Sequence, residues 1–292
     1  MRWLVTGASG FMGAATGAAA AAAGHEVVEI ARADLSAPAA LRDRIREIAP
    51  DVVAHFAGTA SVGESFQDPA ADFEGSTALW FRLLDAIRLS GIRPRIALAS
   101  SAAVYGSPDL LPTPEAAPRR PESPYGFHKL LSEQVAEEFA RCFGLCIVSL
   151  RFFSVFGPRQ KRLLVWELFE QLQRGLPVLH LKGTGDEERD FLSVEEAAEA
   201  VVGAMASPAV AAGFGAVNVA SGTAVSVREV AETLRGCAGS AAEIVFGRED
   251  LRGNPARWQA DVSRLRELVP GWNPAPFSKS LAICAEAWKS GR

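Results

Sequence analysis

The sequence of 292 residues has no apolar run approaching the roughly 18–20 residues that a membrane-spanning helix requires. Its longest stretch of low polarity, residues 14–24, is mostly alanine and reads as a tightly packed helix after a glycine turn. It also lacks an excess of positive charge. Thirty Lys and Arg against 34 Asp and Glu leave a net charge of −4 and a pI near 5.7, which excludes the basic stripe of a nucleic-acid-binding protein. Met1-Arg2-Trp3-Leu4-Val5 runs straight into a motif rather than a secretory signal. The four cysteines (Cys142, Cys146, Cys237 and Cys284) have neither zinc-type spacing nor the framework of a secreted disulfide scaffold. They read as reduced, mostly buried thiols of a cytoplasmic protein. His25, His55, His128 and His180 show no ligand-like spacing, so no metal site is expected. No internal repeat and no disordered linker is visible.

What is present is the composition of a globular chain, 49% hydrophobic and 22% charged. The length suits one large α/β domain with a smaller one appended. Apolar runs at residues 2–6, 26–31, 51–56, 95–100 and 145–150 read as strands. Between them, residues 13–23, 39–49, 76–90 and 124–142 read as helices. This alternation predicts a doubly wound parallel sheet of Rossmann type with right-handed crossovers. Pro108, Pro112, Pro114, Pro118 and Pro121 make residues 107–123 a surface loop. After Gly157-Pro158 the pattern changes. A helix at 163–174, a glycine-bearing loop at 183–185, a helix from about Ser193, a short strand at 216–219 and a mainly helical tail from Val225 follow. The expected domains are a dinucleotide-binding one over 1–156, with return segments at about 190–222, and a smaller C-terminal substrate-binding one over 157–292.

The first strand leads into Gly7-Ala8-Ser9-Gly10-Phe11-Met12-Gly13. Gly7 allows a tight turn, Gly10 lets backbone approach a pyrophosphate, and Gly13 lets the helix pack close to the strand. The helix start then offers free N–H groups and a positive dipole end to phosphates. At the tip of the second strand, Glu29-Ile30-Ala31-Arg32 carries no acid for a ribose 2′-hydroxyl but has an arginine that suits a 2′-phosphate. The reading is NADP or NAD, with NADP favoured; the alternative is that Arg32 is a solvated loop residue. Asp34 and Leu35 are placed near the adenine. Phe56-Ala57-Gly58, beside His55, together with Ser100 and Phe152 at later strand ends, complete the expected cofactor contacts.

Tyr125-Gly126-Phe127-His128-Lys129 puts a tyrosine and a lysine on one helical face. A phenol with a pKa near 10 is a poor base at neutral pH; an adjacent ammonium and a cationic nicotinamide would favour its phenolate. Such a pair can exchange a proton with a sugar hydroxyl during hydride transfer. His128, one residue before Lys129, is rotated off that face. Ile96-Ala97-Leu98-Ala99-Ser100-Ser101 is an apolar strand ending in hydroxyls, which places Ser101 beside the reacting oxygen. Both serines could instead cap the following turn.

The glycine turn, Ser100-Ser101-Ala102-Ala103-Val104-Tyr105-Gly106, Tyr125 to Lys129, Arg151-Phe152-Phe153-Ser154-Val155-Phe156-Gly157-Pro158-Arg159-Gln160 and Arg189-Asp190-Phe191 occur in this order. Together they resemble the NAD-dependent epimerase/dehydratase family of extended short-chain dehydrogenases/reductases, over roughly residues 1–275. The resemblance implies Ser101, Tyr125 and Lys129 as the catalytic triad, with Tyr125 and Lys129 also touching the cofactor. It implies a nucleoside-diphosphate sugar held by the C-terminal part, with Ser101, Ser154, Arg189, Arg252 and Arg257 as substrate contacts, since guanidinium grips phosphate oxygens in a fork. It also implies a homodimer through the helices at 76–90 and 124–142. The chain departs from the family at Ser76 and often at Ser154, where asparagine is usual, and at Ser193, where histidine is common. Ala102-Ala103 stand where a dehydratase usually carries an acid pair. The resemblance therefore favours a 4-epimerase, with an NADPH-dependent 4-keto-6-deoxysugar reductase as the alternative. A non-catalytic dinucleotide-binding protein on the same fold is the distant third reading.

Overall fold

The computed structural model describes residues 1–210, 212–247 and 255–291. The first half runs β1 (Arg2–Thr6), α1 (Phe11–Ala22), β2 (Glu26–Ile30), α2 (Pro38–Ile48), β3 (Val52–His55), α3 (Val62–Gln67), α4 (Pro69–Phe73), α5 (Leu79–Ser90), β4 (Arg95–Ser101), α6 (Pro124–Phe143) and β5 (Cys146–Phe152). The second half runs β6 (Ser154–Phe156), α7 (Leu164–Gln173), β7 (Val178–Leu181), β8 (Glu188–Ser193), α8 (Val194–Ala206), β9 (Phe214–Val219), β10 (Ala224–Ser226), α9 (Val227–Ala238), β11 (Glu243–Phe246), α10 (Ser263–Leu268) and α11 (Phe277–Lys289).

Among the described residues the main sheet has six parallel strands in the order β2-β1-β3-β4-β5-β9. Strands covered on both faces need apolar side chains at every position. Trp3 and Val5 enter one core while Leu4, between them, enters the other. The short run at 216–219 is the sixth strand: it extends to Phe214 and pairs with β5 from Ile147↔Phe214 to Phe152↔Val219. Strand order reverses between β1 and β3, which opens a crevice beyond their carboxyl ends.

Helix α6 starts cleanly because Ser123 Oγ accepts the Gly126 N–H at 3.1 Å and Pro124 supplies a preset φ. It ends at Gly144, φ 69°. The helix is tied to the sheet by a buried ion pair. Arg151 of β5 grips Glu133 of α6 in a fork, Nε to Oε1 at 2.9 Å and Nη2 to Oε2 at 2.8 Å. Ser100 and Ser149 also donate to Oε1, at 2.7 and 2.8 Å. Burial pushes the Glu133 carboxyl up, and the bonds and charge of Arg151 more than reverse this, so it is held below the usual carboxylate range. Arg151 also donates to the Tyr105 hydroxyl, which donates to Asn218 of β9.

Two smaller sheets, β10-β8-β6 and β11-β7, pack with α7, α9 and α11 around a third core. These five strands were not expected from sequence. They are three to six residues long, and β8 begins Glu188-Arg189-Asp190. Asp190 is nonetheless buried because Ser221 N and Oγ, Gly222 N and Ala260 N all donate to it at 2.6–3.2 Å.

Candidate active site

The glycine turn lies at the β1/β3 reversal. Gly7 has φ +71°, and a Cβ there would stand 2.6 Å from Ala57 N. At Gly13 it would stand 2.1 Å from Gly7 O, so helix α1 can approach β1 this closely only without a side chain. At Gly10 a Cβ meets only Gly7 O, at 3.1 Å. No side chain caps the start of α1. This open cradle, with an uncapped helix end, fits the diphosphate of a dinucleotide. Ser9 is exposed, Phe11 and Met12 are half-buried, and the Phe11 ring lies against Gly157. Phe56 and Phe152 meet as tilted rings, 6.2 Å between centres, at the ends of β3 and β5. Ala57 is half-buried and Gly58 exposed along the same rim. His55 is bonded to Thr6 Oγ1 at 2.8 Å. Burial, aided by the charge of Lys129, pushes it down to about 3, so the imidazole is neutral.

Arg32 is exposed beyond β2, and its guanidinium reaches to within 2.9 Å of where a Gly75 Cβ would stand. Asp34 accepts the Ala31 N–H at 3.2 Å. Two expected contacts are not offered by side chains. The Leu35 side chain is fully buried in the core beside Leu41 and Ile45, which leaves only its backbone for an adenine. The Ser100 hydroxyl points into the Glu133 ion pair, and the residue is only 3% exposed.

Ser101, Tyr125 and Lys129 come together. The Ser101 hydroxyl faces the Tyr125 phenol and favours its phenolate. Lys129 Nζ lies 5.5 Å from the centre of the Tyr125 ring and donates to the Ala99 carbonyl at 2.8 Å. Gly126 makes this possible: a Cβ there would fall 2.7 Å from Ala103 O, so only glycine lets α6 settle on the turn after β4. Ser101 also accepts the Ala103 N–H at 3.2 Å, so it caps the turn and faces the phenol at once. Burial pushes Tyr125 up to about 12, against the pull of Ser101 and Arg162 and with the push of Asp72. The pull on this phenol comes from Ser101 and Arg162 rather than from the neighbouring lysine, and desolvation outweighs it. Burial brings Lys129 down to about 8, and Asp72 opposes that fall.

Of the expected substrate contacts, Arg189 is held over Trp258 at 5.3 Å, with Nη1 on Glu188 O at 2.8 Å. Arg257 sits on the same edge but is engaged by Glu188 at 2.7 Å. Ser154 is half-buried in β6, opposite Phe191. Arg252 lies outside the described residues. Sequence reasoning missed several neighbours of Tyr125. Ser65 accepts its backbone N–H at 3.1 Å. Arg162, paired with Glu64 at 3.6 Å, acts on the phenol electrostatically. Asp72 faces both Tyr125 and Lys129. The basic run Arg159-Gln160-Lys161-Arg162 is a sequence signal that could have pointed to Arg162. Among the described residues no group of His, Cys, Asp or Glu could hold a metal ion, and no helix is long and apolar enough to cross a membrane.

An open glycine cradle beside a Ser–Tyr–Lys cluster is the site of an enzyme that uses a pyridine dinucleotide. The profile of the NAD dependent epimerase/dehydratase family matches residues 3–220, and the chain belongs to that family. It is 31% identical to a UDP-glucose 4-epimerase of Mycolicibacterium smegmatis over 94% of both chains. It is also 31% identical to a GDP-6-deoxy-D-mannose reductase of Pseudomonas aeruginosa, over 99% of this chain and 97% of the other. The crystal structure of the Thermus thermophilus UDP-glucose 4-epimerase in complex with NAD superposes with a TM-score of 0.87 at 30% identity, covering both chains fully.

Proposed function

We propose that the protein epimerises a nucleoside-diphosphate sugar at C4. The observation that carries this reading is Lys129 Nζ 5.5 Å from the centre of the Tyr125 ring, with the Ser101 hydroxyl facing the same phenol. A bound oxidised nicotinamide would supply the hydride acceptor and a positive charge favouring the Tyr125 phenolate. Tyr125 takes the proton of the C4 hydroxyl, Ser101 holds that oxygen, and Lys129 keeps a cation beside the phenol. Tyr125 would return the proton once the keto sugar has presented its other face, and a bound dinucleotide would end the cycle unchanged. Arg189 and Arg257, together with Ser154, lie in the C-terminal part that would receive the nucleoside diphosphate. The absence of an acid pair at Ala102-Ala103 supports epimerisation over dehydration.

The test offers UDP-, GDP- and dTDP-sugars and their 4-keto forms, each with NAD(H) and NADP(H). Inversion at C4 without net change in the cofactor supports the proposal. Stoichiometric loss of the reduced cofactor with a 4-keto sugar would support the reductase instead.

Arg32 supports a preference for NADP. Arg32→Ala is expected to weaken NADP binding about 10- to 100-fold, the equivalent of a charge-assisted hydrogen bond of roughly 1.5–3 kcal/mol. NAD binding should hardly change. Fluorescence titration with both dinucleotides measures the ratio. The exposed Phe81 and Leu89 on α5, with Phe127, Leu131 and Phe143 on α6, support a homodimer through these two helices.

A further inference from the structure

Asp72 is a carboxylate only 4% exposed, in α4, just before a turn of π geometry over Glu74–Ala78. Its Oδ1 accepts the Thr59 hydroxyl. Its Oδ2 lies 2.5 Å from His128 Nδ1. Its backbone carbonyl accepts the Ser76 hydroxyl at 2.5 Å, so Ser76, in place of the usual asparagine, is engaged within its own turn. The next residue, Thr77, donates to the His128 carbonyl at 2.9 Å, and the edge of Phe73 meets the His128 ring at 5.5 Å. His128 is thus bonded to two residues of this segment, and it sits between Tyr125 and Lys129 on α6.

We propose that Asp72 is a positioning residue for the Tyr125–Lys129 pair. Its carboxylate clamps the catalytic helix, through His128, to the π turn and to the loop after β3. Its charge also acts on both reacting side chains. Among the described residues, Arg162 before α7, paired with Glu64 of α3, also acts on Tyr125, and His55 of β3 feels the charge of Lys129. His55 is neutral. Arg162 pulls the phenol in the opposite direction from Asp72.

The sign follows from the charge. A carboxylate near Tyr125 disfavours phenolate, and near Lys129 it favours ammonium, so both groups titrate at higher pH because of it. Asp72→Asn keeps the shape and removes the charge. The rise and the break in the pH profile of kcat/KM should then move toward acid, by about half to one pH unit. His128→Gln loosens the clamp and leaves the charge; kcat should fall several-fold with no acid shift. Asp72→Glu should restore the profile.

The kinetic arm rests on the epimerase reading, and a second arm does not. The chain contains two tyrosines. In a Tyr105→Phe background the ultraviolet phenolate signal therefore reports Tyr125 alone, in the presence of oxidised dinucleotide and without substrate. Asp72→Asn should lower that titration midpoint. A midpoint and profile unmoved by Asp72→Asn, in folded protein, would overturn the proposal even if the wild type epimerises sugars. A moved midpoint in a protein inactive on every sugar would uphold it and sink only the epimerase reading.

Discussion

Tyr125→Phe lowers kcat/KM for sugar interconversion by about 10²–10⁴-fold, the usual contribution of a positioned acid–base group. Dinucleotide affinity and thermal stability should change little. The substitution removes one oxygen, and Ser101, which faces it, still caps the Ala103 N–H. Burial sets the ligand-free phenol at about 12, so at neutral pH only a small fraction is phenolate. The rate should therefore rise with pH on the acid limb. It should level off as Lys129, at about 8, loses its charge, because each gain in phenolate is then offset by a loss of ammonium. Steady-state kinetics across this range measure the rise and the break. Full turnover by Tyr125→Phe would place the base elsewhere.

The second large effect concerns stability. Glu133→Ala strands the Arg151 guanidinium, 2% exposed, without its counter-ion. An uncompensated buried charge costs about 3–5 kcal/mol. That is a large share of the roughly 5–15 kcal/mol that holds a typical domain together. The urea midpoint should fall accordingly. Combining Glu133→Leu with Arg151→Met removes both charges, and the pair should lose less than the sum of the single losses. Because α6 carries Tyr125 and Lys129, Glu133→Ala should also lower activity. A midpoint unchanged by Glu133→Ala would show that the ion pair contributes nothing to the fold.

The glycine turn and the Tyr125–Lys129 spacing were legible because each is local: one strand–turn–helix unit and one helical turn hold all their members. The parallel sheet was legible because strands buried on both faces are continuously apolar. The Asp72–His128 contact was not, since it joins residues 56 positions apart and neither has a local pattern. Glu133 and Arg151 read as ordinary polar residues on a helix and a strand; only the docking of α6 on β5 makes them partners. Ser100 shows the reverse error. Its place at a strand end suggested a ligand contact, but its hydroxyl is taken up by the buried Glu133 carboxylate. In the C-terminal part, short strands with polar side chains carry too little periodicity to be separated from loops.

The central claim is that one carbon of the sugar gives up a hydride and receives it back within a single enzyme-bound cycle. A nucleoside-diphosphate sugar carrying deuterium at C4 tests this directly, with the product read by NMR and mass spectrometry. The account predicts an inverted sugar that keeps its deuterium at C4, with none in bulk water. Loss of the label to solvent, or its stoichiometric appearance in released dinucleotide, would contradict it.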